Sequence, residues 1–227
     1  MAIEESPQLP TKRPLLFAAH GNERINAFSD GVFAITITLL VLEIKVPEIA
    51  HDLVAKELVP KLAHLFPFIV SHVISFFVLG IFWVAHHNMF AHIKKHDHVL
   101  LWLNLLFLLC VASAPFPTGL LGAYPDQAIA VMIYSGVLAV TGLSLDLIWW
   151  YVTTYGLVDE ETDPEFVRFV HWHIWKAPIF YGLAFIFALL NWLAVAKFIL
   201  IGVTIFYIIP NALERTHYKR LNRRFNQ

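Results

Sequence analysis

Between Arg24 and Lys45 the chain reads RINAFSDGVFAITITLLVLEIK, an apolar run of membrane-spanning length that opens with an arginine, a serine and an aspartate. About 20 apolar residues cross a bilayer, and ionisable groups at the edge of such a run need a partner or a task. Arg24 and Asp30 lie about 120° apart round a helix, so they cannot pair as i,i+4 neighbours, and each must be met from another helix. A second apolar run ends in FWVAHHN, where Trp83, His86 and His87 share one helical face at i, i+3 and i+4. The chemistry expected of Arg24, Ser29, Asp30, His86 and Asn88, with Trp83 beside them, is a polar cluster bonded between helices at one membrane surface. No serine, cysteine or metal motif joins the histidines and Asp30 to make a catalytic set.

The remainder of the first run carries a different pattern. On a helical wheel Gly31, Ile35, Thr38, Leu39 and Leu42 fall within about 40 to 60° of Ile35, whereas Asp30 lies about 140° away and Ser29 about 120°. The polar motif and the aliphatic stripe therefore face different surroundings. On periodicity alone the stripe reads as packing or lipid contact. Thr38 is its one polar member, and a ring of hydroxyls could replace part of an ion's water shell. Glu43, near the outer end and about 80° from Ile35, reads as an interfacial carboxylate or a cation-concentrating mouth group.

Arg24, Phe28, Ser29 and Asp30, spaced RxxxFSD and followed by GVFAI and an aliphatic helix, resemble the first helix of the TMEM175-type potassium channels. The likeness is sharp over residues 24 to 45, looser through FWVAHHN, and architectural beyond. It implies a homotetramer of six-helix subunits with the first helices around a central axis. It also implies that FSD packs against the second helix, and that aliphatic rings at Ile35, Thr38 or Leu39, and Leu42 form a hydrophobic constriction. Such a ring selects by partial dehydration: potassium holds its water less tightly than sodium, so a narrow apolar ring penalises sodium more. No cofactor is implied beyond permeant potassium or other monovalent cations. A single six-helix unit suggests a prokaryotic plasma membrane.

The elements that must position these residues follow from composition. Of 227 residues, 58% are hydrophobic and 15% charged, with mean hydropathy +0.65; an average soluble domain carries roughly 25% charge. The chain therefore reads as an all-α membrane protein, one channel domain over residues 1–227. Spans are expected at about 25–45, 63–87, 98–121, 128–152, 176–193 and 195–213. The last two read as a tight hairpin or as one helix broken at Asn191. Pro115 and Pro117 should kink the third span.

Lys and Arg then set orientation. Lys12, Arg13, Arg24, Lys94, Lys95, Arg168, Lys176, Arg215, Lys219, Arg220, Arg223 and Arg224 fall on one side, against Lys45, Lys56, Lys61 and Lys197 on the other. By the positive-inside rule both ends are expected in the cytoplasm. The polar opening residues suggest no cleavable signal peptide, so the first span should direct insertion. Trp149, Trp150 and Tyr151, and Trp172 with Trp175, read as interfacial anchors.

Cys110 is the single cysteine, which excludes an internal disulfide. The paired histidines His92/His96 and His171/His173 lack the carboxylate or thiolate that would complete a metal site. The basic tail reads as an orientation and lipid signal, with no call for nucleic acid. Asp146, deep in a later span, reads as a pairing residue or as part of a proton relay. With Asp30 and the histidines it supports the rival function, a proton-coupled secondary transporter. That rival needs discontinuous helices or an inverted repeat, and the sequence displays neither. No span carries regularly spaced arginines, so a voltage sensor is not expected and conduction should be leak-like.

Overall fold

The structure, a computed structural model, describes residues 21–160 and 162–209. Basic residues before Gly21 and after Ile209, counted above for orientation, lie outside it. Its helices are α1 (Gly21–Leu39), continued by a 3₁₀ turn over Leu40–Glu43, α2 (Val54–His64), α3 (Phe66–Phe90) and α4 (His98–Ala112), then α5 (Pro115–Ala123), α6 (Ala128–Thr154), α7 (Pro164–Leu189) and α8 (Leu193–Ile208). Five stretches are long and apolar enough to cross a membrane: Glu23–Glu43, Val54–Phe90, His98–Ala123, Ala128–Thr154 and Pro164–Leu189. The sixteen-residue α8 is a shorter apolar helix.

Several boundaries differ from the sequence expectation for physical reasons. Helix α7 begins at Pro164, well ahead of 176, because Asp163 caps it by accepting the Glu165 amide at 2.9 Å. Trp172 and Trp175 consequently lie within α7, both exposed. The connection expected between the first two spans contains α2, an amphipathic helix with no buried residue. The third span breaks ahead of Pro115, which has no N–H to continue the ladder. Between α7 and α8, Asn191 takes φ +64°, the left-handed conformation that asparagine tolerates at a helix end.

Loop contacts fix which ends lie together. The α3–α4 and α6–α7 connections meet through the backbone pair Ile93 and Val158, the Lys94 and Lys95 amides on the Leu157 carbonyl, and a Lys94–Asp159 ion pair of 2.6 Å. At the α5–α6 connection, Asp126 pairs with Lys197 of α8 at 3.0 Å.

Helix α6 is the central post, packed against α4, α5 and α7. Gly142 lets α7 approach closely: a Cβ there would stand 3.0 Å from Pro178 Cδ. Lipid tails are as apolar as leucine, so such close packing and buried polar contacts hold membrane helices together. A second example joins α3, α5 and α6, where Thr118 Oγ1 donates to Ser75 Oγ at 2.8 Å and Ser75 and the Tyr134 hydroxyl share a 2.9 Å hydrogen bond.

Candidate functional site: the two faces of the first helix

Ile25, Ser29, Phe33, Thr36 and Leu40 recur at helical spacing and are all buried, on the face that α3 and α4 cover. The opposite face is bare within the protomer. Ile35 is 62% exposed and Leu42 65%, and Thr38 and Leu39 are exposed with them. The 3₁₀ turn places residues three apart over one another, which aligns Leu42 with Leu39. Thr38 Oγ1 lies 2.9 Å from both the Ala34 and Ile35 carbonyls. Its single hydrogen is committed to its own helix, so the hydroxyl offers acceptor lone pairs outward.

The covered face carries a directional chain of hydrogen bonds. His86 Nε2 donates to Asn104 Oδ1 at 2.9 Å, Asn104 Nδ2 donates to Ser29 Oγ at 3.1 Å, and Ser29 Oγ donates to the Ile25 carbonyl at 2.9 Å. With Asn104 Oδ1 as acceptor, Nε2 must carry the hydrogen. All three side chains are buried. The imidazole is sandwiched between Phe90, with centroids 4.1 Å apart, and Phe107, at 5.4 Å and 4°. Asp30, just outside this chain, accepts from Trp83 Nε1 at 2.8 Å. Helices α1, α3 and α4 are thus fastened at one end by groups that lose their partners if any helix shifts.

Of the residues the sequence nominated, Ser29 and His86 meet through Asn104, and Asp30 meets Trp83. Arg24 and Asn88 stay outside this arrangement, both exposed and without a side-chain hydrogen bond or ion pair among the described residues. Arg24 stands on the outward side of the first turn, and Asn88 follows the buried turn of α3. Phe28 is 55% exposed and points away from the protomer core. Asn104 was missed, although it is the one amide in HVLLWLNLLFLLCVA.

Glu43 is half-buried, and its carboxylate occupies the space a side chain at Gly119 of α5 would need. It is therefore turned toward α5 and away from the bare stripe. Asp146 is buried in α6 with Oδ2 lacking a hydrogen-bond partner. His92 contacts Phe166 with centroids 4.4 Å apart. No group of three or more His, Cys, Asp or Glu suited to a metal occurs among the described residues.

Helices of this length and apolarity, fastened by a polar chain at one end, define a multi-pass α-helical membrane protein. Residues 24–115 match the family model described as endosomal/lysosomal potassium channel TMEM175. A protein of Streptomyces collinus named as a potassium channel is 40% identical over 156 residues, which cover 64% of this chain and 71% of that one. The crystal structure of a lysosomal potassium-selective channel TMEM175 homolog from Chamaesiphon minutus matches with TM-score 0.74 and 32% identity, over 82% of this chain and 96% of that chain. The human endosomal/lysosomal proton channel TMEM175 is 36% identical over 110 residues, 46% of this chain and 22% of that protein. The chain belongs to the TMEM175 family.

Proposed function

We propose that this protein is a potassium-selective, leak-like cation channel of the plasma membrane. Four copies surround a central pore lined by α1, and both termini lie in the cytoplasm. Ile35, Thr38, Leu39 and Leu42 form the constriction. The observation that carries the reading is the division of α1: one face is fully packed by α3 and α4, while Ile35 and Leu42, 62% and 65% exposed, have no covering in the protomer. A stripe of that kind beside a packed polar knot suits a helix held rigidly with its aliphatic side turned to an axis. The constriction works by partial dehydration, with the Thr38 oxygens returning some of the lost coordination. Ser29, Asp30, Trp83 and His86, joined with Asn104, serve placement of α1 and touch no permeant ion, whereas Arg24, Phe28 and Asn88 stand exposed outside that arrangement.

The test is ion flux from purified protein in liposomes under a potassium gradient. Potassium flux should exceed sodium flux, and Ile35→Asn should raise conductance several-fold and erode that preference. Unchanged flux in Ile35→Asn overturns the assignment of the constriction. A second reading, proton-coupled transport through Asp30, Asp146 and the histidines, draws support from the unpartnered carboxyl oxygen of Asp146. Flux that follows a proton gradient and disappears in Asp146→Asn would favour it.

A further inference from the structure

At the end of α1 away from Asp30, the helix tightens into the 3₁₀ turn Leu40–Glu43, and that change of winding decides where its carboxylate goes. Continued as an α-helix, Glu43 would fall about 40° from Leu39, on the flank of the bare stripe. In the 3₁₀ turn it stands instead over Leu40, three residues back and fully buried, while Leu42 stands over Leu39. Glu43 is thereby aimed at α5 and away from the side that Leu42 presents.

What receives it there is a glycine. A Cβ built on Gly119 would stand 2.7 Å from Glu43 Cδ and 3.2 Å from Cγ, and closer still to Oε2. Alanine at that position has room only if the carboxylate leaves. Gly119 is buried in α5, and its neighbour Thr118 lies within hydrogen-bond distance of both Ser75 of α3 and the Ala114 carbonyl, which holds the backbone of the notch in place. No hydrogen bond or ion pair tethers the Glu43 carboxylate among the described residues. The partner that yields is therefore the flexible glutamate. With Leu40 fully buried beneath it, a displaced carboxylate moves outward, to the water at the end of the stripe.

We propose, in an inference that rests on the pore reading of the stripe, that Gly119 is a specificity-determining residue. It stores the Glu43 carboxylate against α5 and so keeps a ring of carboxylates from forming at the pore mouth. Rings of acidic side chains hold cations at channel mouths. Calcium takes about six to eight oxygen ligands, and its affinity for a site is tuned by the charge of those ligands. Released together, the glutamates of all the copies would give a divalent cation a seat in front of the constriction. Stored, they leave the mouth open to monovalent ions.

Two readouts on the purified full chain test this. Modification of Glu43 by a water-soluble carbodiimide and an amine, followed by peptide mass spectrometry, should be several-fold faster in Gly119→Ala than in the wild type. Potassium flux in liposomes should become roughly tenfold more sensitive to block by calcium in Gly119→Ala. Wild-type sensitivity should return when Glu43→Gln is added to Gly119→Ala, and Glu43→Gln alone should leave it unchanged. If Gly119→Ala fails to fold, Glu43→Asp, whose carboxylate ends one methylene short of the notch, should show the same two changes. Unchanged modification overturns the storage of Glu43 at Gly119. Calcium block that persists after Glu43→Gln is added, or that weakens in Glu43→Gln alone, overturns it as well. Where modification quickens and calcium block does not change, Ile35→Asn separates two failures. Flux altered by Ile35→Asn overturns the role of Gly119 at the mouth, and flux indifferent to it overturns the pore reading and this role together.

Discussion

Asn104 is the residue on which three helices converge, since its amide accepts from α3 through His86 and donates to α1 through Ser29. Replacing it by leucine keeps the approximate volume and leaves a buried imidazole N–H and a buried hydroxyl without those partners. Unsatisfied buried groups cost about 1 to 3 kcal/mol each in water-soluble proteins, whereas inter-helix hydrogen bonds in a membrane average about 0.6 kcal/mol. Asn104→Leu is therefore expected to lose about 1 to 2 kcal/mol overall, read as a lower denaturant midpoint in micelles. A double-mutant cycle with Ser29→Ala should show coupling of about 0.5 kcal/mol or more. Strict additivity would mean the two side chains act separately. Ser29 and Asp30 could be picked from the sequence because polar residues stand out at the mouth of an apolar run. Asn104 could not be placed, because the run around it is apolar on every side and gives no angular reference for the amide.

At the scale of elements, the stripe on α1 was legible because a helix has one period and the polar motif fixed where it started. Helix α2 was hidden inside a segment that reads as loop, with Pro60 and alternating charges. The start of α7 was hidden because HWHIWK mixes polar and aromatic residues too evenly for a hydropathy reading to register a helix. Asp97 illustrates a local signal that the structure makes quantitative. It caps α4 by accepting the Leu100 amide at 2.8 Å and receives the Tyr151 hydroxyl at 2.5 Å. Burial pushes its carboxyl up, but the Leu100 amide, the Tyr151 hydroxyl and the Val99 amide outweigh that and hold it below the ordinary carboxylate value. A depressed folded-state pKa gives stability that is present above the unfolded value and lost as pH falls through the folded one. Thermal unfolding in detergent should therefore weaken below about pH 4 in the wild type. Asp97→Ala should cost about 0.5 to 2 kcal/mol at neutral pH, as loss of an N-cap does, and should remove that part of the acid dependence. An identical acid profile in both proteins would show that the cap carries no charge-dependent stability.

For the whole molecule, the decisive question is which way the bundle faces, because the two ends of α1 exchange surroundings if it is inverted. The backbone pairing of Ile93 with Val158 puts the α3–α4 and α6–α7 connections on one side, and these, with the first turns of α7, carry Lys94, Lys95 and Arg168. The Asp126–Lys197 pair ties the α5–α6 connection to the start of α8. That second grouping has fewer cations, so the positive-inside rule assigns it to the outside. The chain has one cysteine, Cys110, which makes the assignment directly measurable. In a Cys110→Ser background, Lys56→Cys and Gln127→Cys should react with a membrane-impermeant maleimide added to intact cells, whereas Lys95→Cys and Glu160→Cys should react only after the membrane is opened. Lys95→Cys and Glu160→Cys must behave alike, since the structure binds their connections together. The reverse pattern would place the Lys94 side outside. Mixed labelling of Lys95→Cys and Glu160→Cys would contradict the loop contacts themselves, whatever the orientation.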